Sequence, residues 1–270
     1  MKKILFSFVL CFSVLMPSTA VFAAESASVE NKYDDEEINK QLKELGATDE
    51  YISMIPLEQK LDIINSNPKS FSVEKTDYYI DSNGDLQEIE TGGVQTQKTI
   101  GTSDLSLFNG KSDLGYMNGR KTYRVYVNWE WYKATAFNFV DKIGLSYSDN
   151  FQTRVANNGR YQCKAYSKNI NTGTTETTDC YGRPSEITFG GAAWNHDVKF
   201  GAAWRNSGYA QMDIETKSSK TPSGTGILLS KYLHKTGSPG SLGVSIKYVS
   251  ISVSSGSGYD EAASQTSWNF

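Results

Sequence analysis

Between Lys121 and Tyr132 the chain reads KTYRVYVNWEWY, and its side chains sort with a period of two. Tyr123, Val125, Val127, Trp129 and Trp131 fall on one side; Thr122, Arg124, Asn128 and Glu130 fall on the other. Successive side chains of a strand point to opposite faces, so this spacing predicts a long, half-buried strand. Its aromatic face needs a second layer. Rings of this size dominate core energetics, and the alternating Tyr-rich segments downstream are the available partners.

Those segments are short and regularly punctuated. Residues 141–147, 186–189, 192–200, 208–217, 226–234 and 243–254 alternate apolar and polar positions between clusters of Gly, Ser, Asn or Pro, and Asn157-Asn158-Gly159 marks a turn. In 243–254 the apolar phase changes from Val244, Ile246 and Tyr248 to Val249, Ile251 and Val253, which predicts a bulge near Tyr248. The fold class is mainly β. Roughly eight to ten strands at this spacing favour a β-sandwich, with a jelly roll as one form of it. Gly-Ala-Ala-Trp occurs at Gly191 and again at Gly201, either as two equivalent strand ends or as a chance symmetry.

The chain begins with Lys2 and Lys3, an apolar run from Ile4 to Met16, then Pro17 and small residues up to Ala23. This reads as the signal peptide of an exported bacterial protein, residues 1–23, and Cys11 leaves with it. Neither that run nor any later one suits a stable transmembrane anchor. Two cysteines remain, Cys163 and Cys180, and an even pair in an exported chain favours a disulfide. They flank Asn171-Thr172-Gly173, a turn signal. If Ile170 faces Gly173 across a two-residue loop, the antiparallel register places Cys163 opposite Cys180, and a cross-strand bridge follows.

Charge is divided along the chain. Residues 25–93 carry 17 acidic against 6 basic side chains, and residues 94–270 carry 13 acidic against 19 basic. The two parts attract each other, and the basic part has no dense Lys/Arg run of the kind that binds nucleic acid. Within 24–93, three short helices are expected: one capped near Asp34 or Asp35 and stopped by Gly46, one from Thr48, and one beyond Pro56. They bury little alone, and the basic β domain is their natural partner surface. A hairpin follows at Asp81-Ser82-Asn83-Gly84-Asp85, whose glycine and twelfth position do not fit a calcium loop. Residues 94–119, rich in Gly, Ser, Thr and Asn, read as a linker, which places the β-sandwich domain at 120–270.

Chemistry-bearing residues are sparse. The two histidines, His196 and His234, have no second ligand at metal spacing, there is no G-x-S-x-G elbow, and no motif calls for a cofactor. A glycosidase would need paired carboxylates, for which Glu130 and Glu186 are the candidates, with Glu215 and Asp141 as further partners. Trp194, Trp204 and Tyr126 are the candidate ligand-stacking residues, since such rings present a flat apolar face and a polar edge; Trp268 belongs to the same set. The reading that follows is a secreted, non-enzymatic binding protein, extracellular or loosely envelope-associated, contacting a polysaccharide or cell-surface polymer. The alternatives are a carbohydrate-active hydrolase and a membrane-active, toxin-like protein whose acidic N-terminal part is a pro-segment.

Overall fold

The computed structural model describes residues 34–83, 85–89, 103–135, 139–180, 183–219, 223–237, 242–255 and 258–270. The leader and its cleavage point lie outside these residues. The chain divides at Asp34, and the unit considered below is Asp35–Phe270.

Three helices come first: α1 (Asp35–Leu45), α2 (Asp49–Met54) and α3 (Leu57–Asn65). The strands are β1 (Ser70–Ile80), β2 (Leu86–Glu88), β3 (Leu105–Met117), β4 (Arg120–Trp131), β5 (Val140–Tyr147), β6 (Phe151–Thr153), β7 (Gln162–Asn169) and β8 (Thr175–Asp179). They continue with β9 (Glu186–Thr188), β10 (Gly191–Asp197), β11 (Trp204–Thr216), β12 (Thr225–Lys235), β13 (Gly243–Lys247), β14 (Ser250–Ser255) and β15 (Tyr259–Asn269). One sheet runs β2-β1-β3-β4-β11-β7-β8, with β6 beside β11; the other runs β15-β12-β5-β10-β9; β13 and β14 form a separate hairpin. Every pairing among these strands is antiparallel. The fold is thus a β-rich, sandwich-like pair of sheets with a short helical part at its start.

The aromatic face of β4 is built as its spacing demands. Trp129 and Trp131 are buried with Ile143, Leu145 and Tyr147 of β5, Trp194 of β10, Met212 and Ile214 of β11, and Tyr232 of β12. Each such side chain contributes on the order of 2 kcal/mol by leaving water. The opposite face is not exposed. Arg124, Tyr126 and Asn128 are buried as well, because the helices lie on them. Ile38, Leu42, Tyr51, Ile52, Ile55 and Ile63 join Phe71, Phe108 and Tyr126 in a second core. The half-buried strand is therefore buried on both faces, and the acidic helices have found the basic sheet.

The segment read as a linker contains β3, bonded between β1 and β4. Leu105 and Leu107 reach the sandwich core and Phe108 reaches the helical one. Its buried polar residues find partners across the sheet: Asn109 Nδ2 donates to the Ser264 carbonyl at 2.7 Å, and Ser112 Oγ lies 3.0 Å from Tyr126 Oη. No domain boundary falls at 119/120. The strand expected over 243–254 is the β13–β14 hairpin, and the phase change is its turn: Lys247 pairs with Ser250, with Val249 at φ 48° between them. The two Gly-Ala-Ala-Trp copies are not equivalent either. The first lies within β10, whereas the second is a turn that opens into β11.

The cysteine hairpin keeps its expected register. Lys164 pairs with Asp179 and Lys168 with Thr175, and Cys163 is bonded to Cys180 with Cα atoms 5.3 Å apart. The loop is wider than two residues, since the Ile170 amide turns to the Ala203 carbonyl and the Gly173 amide to that of Asn169, both at 2.8 Å.

Candidate functional site

Strand alternation decides where the sequence candidates point. Tyr126 and Trp194 are 0% exposed, one beneath the helices and the other in the sandwich core. Neither presents a ring face to solvent, so neither is a stacking residue; inward strand positions made them aromatic for packing. Trp204, at the start of β11, is partly exposed and carries Lys199 Nζ 4.3 Å from its ring centroid. Trp268 packs against Tyr123 and Phe151.

The carboxylates do not converge. Glu130 is half-buried on the helical side of β4, where burial pushes its carboxyl up against the downward pulls of Tyr132 and Lys75. Glu186 belongs to the other sheet and is ion-paired to the buried Lys142. Asp141 is buried and fully engaged, accepting from Tyr232 Oη at 2.6 Å, His234 Nδ1 at 2.9 Å and the Lys235 amide at 2.9 Å. Glu215 accepts from Gln152 at 3.0 Å and lies 3.8 Å from Arg120. Among the described residues, no group of His, Cys, Asp and Glu is placed to hold a metal ion.

An open cleft of about 440 Å³ lies where β5, β6 and β9 meet the β13–β14 turn. Its floor is Tyr147, whose hydroxyl lies 3.0 Å from Thr153 Oγ1 and donates to the Phe189 carbonyl at 3.2 Å. Burial pushes that phenol up to about 12, so it stays neutral near pH 7. Tyr161 donates to the same threonine at 3.3 Å, and its ring stands edge-on to the buried Trp194 at 6.3 Å. One wall is Phe189, edge-on to Tyr248 at 5.0 Å. Lys217 Nζ sits 4.5 Å from the Tyr248 ring centroid and donates to its hydroxyl at 2.7 Å.

Two backbone features place this wall. The Val249 amide bonds the Tyr147 carbonyl at 3.2 Å, pinning the hairpin turn against β5. A Cβ at Gly190 would stand 2.6 Å from the Lys247 carbonyl carbon, so only glycine lets the hairpin approach Phe189 this closely. Large apolar side chains line the rim in the open: Val155 is 76% exposed, Ile187 56% and Phe189 64%. None of the described residues lining the cleft is Asp or Glu. What it offers is flat apolar faces, hydroxyls, one amide and one ammonium, a set suited to binding rather than to carboxylate acid–base chemistry.

Sequence reasoning missed Tyr161, Phe189 and Tyr248 as a group. The available signal was their position: each stands at or beside a turn, where an apolar ring has no strand face to hide it.

No family model matches the chain, and no curated protein matches it in sequence. Among solved structures it is similar, at a TM-score of 0.23, to AvmM, which catalyses macrocyclization in alchivemycin A biosynthesis; identity is 10%, over 55% of this chain and 79% of that one. It is also similar, at a TM-score of 0.29, to the collagen binding domain of the Erysipelothrix rhusiopathiae surface protein RspB. There identity is 9%, over 75% of this chain and 59% of that one. Likenesses this loose carry no argument about function.

Proposed function

We propose that the chain is an exported, non-enzymatic binding protein that holds a polysaccharide or related cell-surface polymer in the cleft between Tyr161, Phe189 and Tyr248. The observation that supports this reading is the exposed rim. Side chains such as Phe189 and Ile187 cost free energy in water unless a partner covers them, and rings with polar edges suit the apolar faces and hydroxyl edges of sugars. A location outside the cytoplasm is supported by the leader pattern at residues 1–23 and by the Cys163–Cys180 bridge. Among the described residues, no helix is long and apolar enough to cross a membrane.

The test is depletion of the purified protein by a panel of insoluble cell-wall and plant polysaccharides, with released sugar assayed in the same tubes. Saturable depletion without release is expected, weakened about tenfold in a Phe189→Ala/Tyr248→Ala double variant by the loss of two stacking rings. Released sugar would replace this reading with the hydrolase. The same rim gives one observation in favour of a membrane-active protein; leakage from liposomes that Phe189→Ala suppresses, without polysaccharide depletion, would establish that second reading instead.

A further inference from the structure

The helices cover the first sheet in two chemically different ways. α1 and α2 do so with apolar residues, Ile38, Leu42, Tyr51 and Ile52 packing on Phe71, Phe108 and Tyr126. α3 shares that cover through the buried Ile63 and through Gln59, which is bonded to Asn128, and beside them it turns two carboxylates onto the sheet, one helical turn apart. Asp62 accepts from Arg124 Nη1 at 2.8 Å, Arg160 Nη2 at 2.7 Å and Gln211 Nε2 at 2.8 Å. Glu58 accepts from Lys164, from the Tyr166 hydroxyl and from the Tyr209 hydroxyl, the last at 3.4 Å. Each carboxylate is thus gripped by cationic and neutral donors that come entirely from the β part of the chain.

Three of those donors, Arg124, Gln211 and Tyr209, are held in place without the helix. Asp213, itself buried, fixes Arg124 through Nε at 2.7 Å and Nη2 at 3.4 Å, and Asn157 holds Asp213 in turn. Gln162 orients both Gln211 and Tyr209, each at 2.9 Å. Burying Arg124, Asp213 and Gln211 costs desolvation that an apolar cover would avoid, while the Glu58–Lys164 pair and Arg160 reach the surface. The fit of α3 is also incomplete: Gln211 Oε1 is buried with no hydrogen-bond partner among the described residues. The amide orientation follows from Nε2 donating to both Asp62 and Gln162, so this oxygen lacks a donor.

We propose that the sheet face under α3 is a second binding site, for an acidic polysaccharide, and that Glu58 and Asp62 occupy it in cis as stand-ins for the ligand's carboxylates. Positions four apart on a helix have Cβ atoms about 6 Å from each other, so the two anionic groups project from the same side of α3. The unfilled acceptor of Gln211 selects a hydroxyl beside one of them, the arrangement a uronic acid carries and polyphosphate lacks. A ligand must displace α3, so its apparent dissociation constant is its intrinsic one divided by the fraction of molecules in which the helix is open.

The experiment uses the full chain and fluorescently labelled oligogalacturonate. A Glu58→Gln/Asp62→Asn variant, checked for its folded near-UV spectrum, is expected to bind at least about tenfold more tightly than the unaltered chain, because its helix opens more readily. Adding Arg160→Gln and Lys164→Gln to that background is expected to reverse the gain, while adding Phe189→Ala is expected to leave it unchanged. Hydrogen exchange of the unaltered chain keeps the proposal open to refutation if a variant fails to fold: saturating oligogalacturonate is expected to speed exchange of the 57–65 amides. No gain in the first variant, binding indifferent to Arg160 and Lys164, or unchanged exchange over 57–65 would each overturn the proposal. Binding abolished by Phe189→Ala would overturn it by assigning the ligand to the aromatic cleft. Equal competition by inorganic polyphosphate would overturn the assignment to a sugar.

Discussion

Arg124→Met removes the cation at the centre of the interface between helices and sheet. Arg124 is 1% exposed and Asp213 0%. The substitution takes from Asp213 the Nε bond at 2.7 Å and the Nη2 bond at 3.4 Å, leaving it the Asn157 amide at 2.5 Å and Arg154 at 3.8 Å. Asp62 keeps Arg160 and Gln211. The dominant loss is an under-compensated buried anion, for which breaking a buried pair costs about 3–5 kcal/mol. Met fills much of the arginine stem and removes the guanidinium's own desolvation, so the low end applies, about 3 kcal/mol. With a urea slope of about 2–3 kcal/mol/M, the midpoint is expected to fall by roughly 1 M, read by tryptophan fluorescence. Asp213→Asn in the Arg124→Met background is expected to recover part of the loss, giving a coupling energy above about 1.5 kcal/mol in the double-mutant cycle. A single-variant cost below about 1 kcal/mol, or additivity within about 0.5 kcal/mol, would refute the claim that this pair is dry and mutually dependent.

Three further outcomes are expected. Cys163→Ser/Cys180→Ser opens a loop of 17 residues and is expected to cost about 3 kcal/mol by chain entropy; matching denaturation midpoints for the variant and the oxidised chain would contradict this. Gly208→Ala would put a Cβ 2.4 Å from Trp129 Cζ2 and 2.5 Å from the Lys164 carbonyl oxygen, so a loss of about 1–3 kcal/mol is expected, and an unchanged melting temperature would show that the ring yields freely. On the acid side, burial lowers the pKa of His196 against the smaller upward pull of Asp141, so its contribution is present above the unfolded value near 6.5 and is lost as pH falls through the folded one. His234 has the opposite sign: Asp141's charge and hydrogen bond outweigh burial and raise it, so its contribution is present below about 6.5 and is lost as pH rises through the folded value. His196→Gln is therefore expected to flatten the loss of stability below about pH 6.5, which urea midpoints measured from pH 5 to 8 would detect.

Much of the fold was legible because it rests on local periodicity. The β4 alternation, the cysteine register and the Thr48 cap of α2 each need only a few neighbouring residues, and each was found where spacing placed it. The errors share one cause. β3 was hidden by Asn109 and Ser112, which are polar yet buried, and the β13–β14 turn resembled a bulge because both shift an apolar phase by one. β15, with Ala262, Ser264 and Thr266 at its inward positions, carries little hydropathy signal until its neighbours are known.

The candidate sites were far less legible, for a physical reason. Alternation states that two residues share a face; it does not state whether that face looks onto solvent, a second sheet or a helix. Tyr126 and Trp194 had the composition of ligand residues and are core, while Tyr161, Phe189 and Tyr248 come from three separate turns and meet only when the hairpin docks on β5. The sequence showed a charge division along the chain, acidic over residues 25–93 and basic over 94–270. Only the tertiary structure decided that Glu58 and Asp62 would be the carboxylates gripped, because that required Lys164, Tyr166, Tyr209, Gln211, Arg124 and Arg160 to converge from separate parts of the chain.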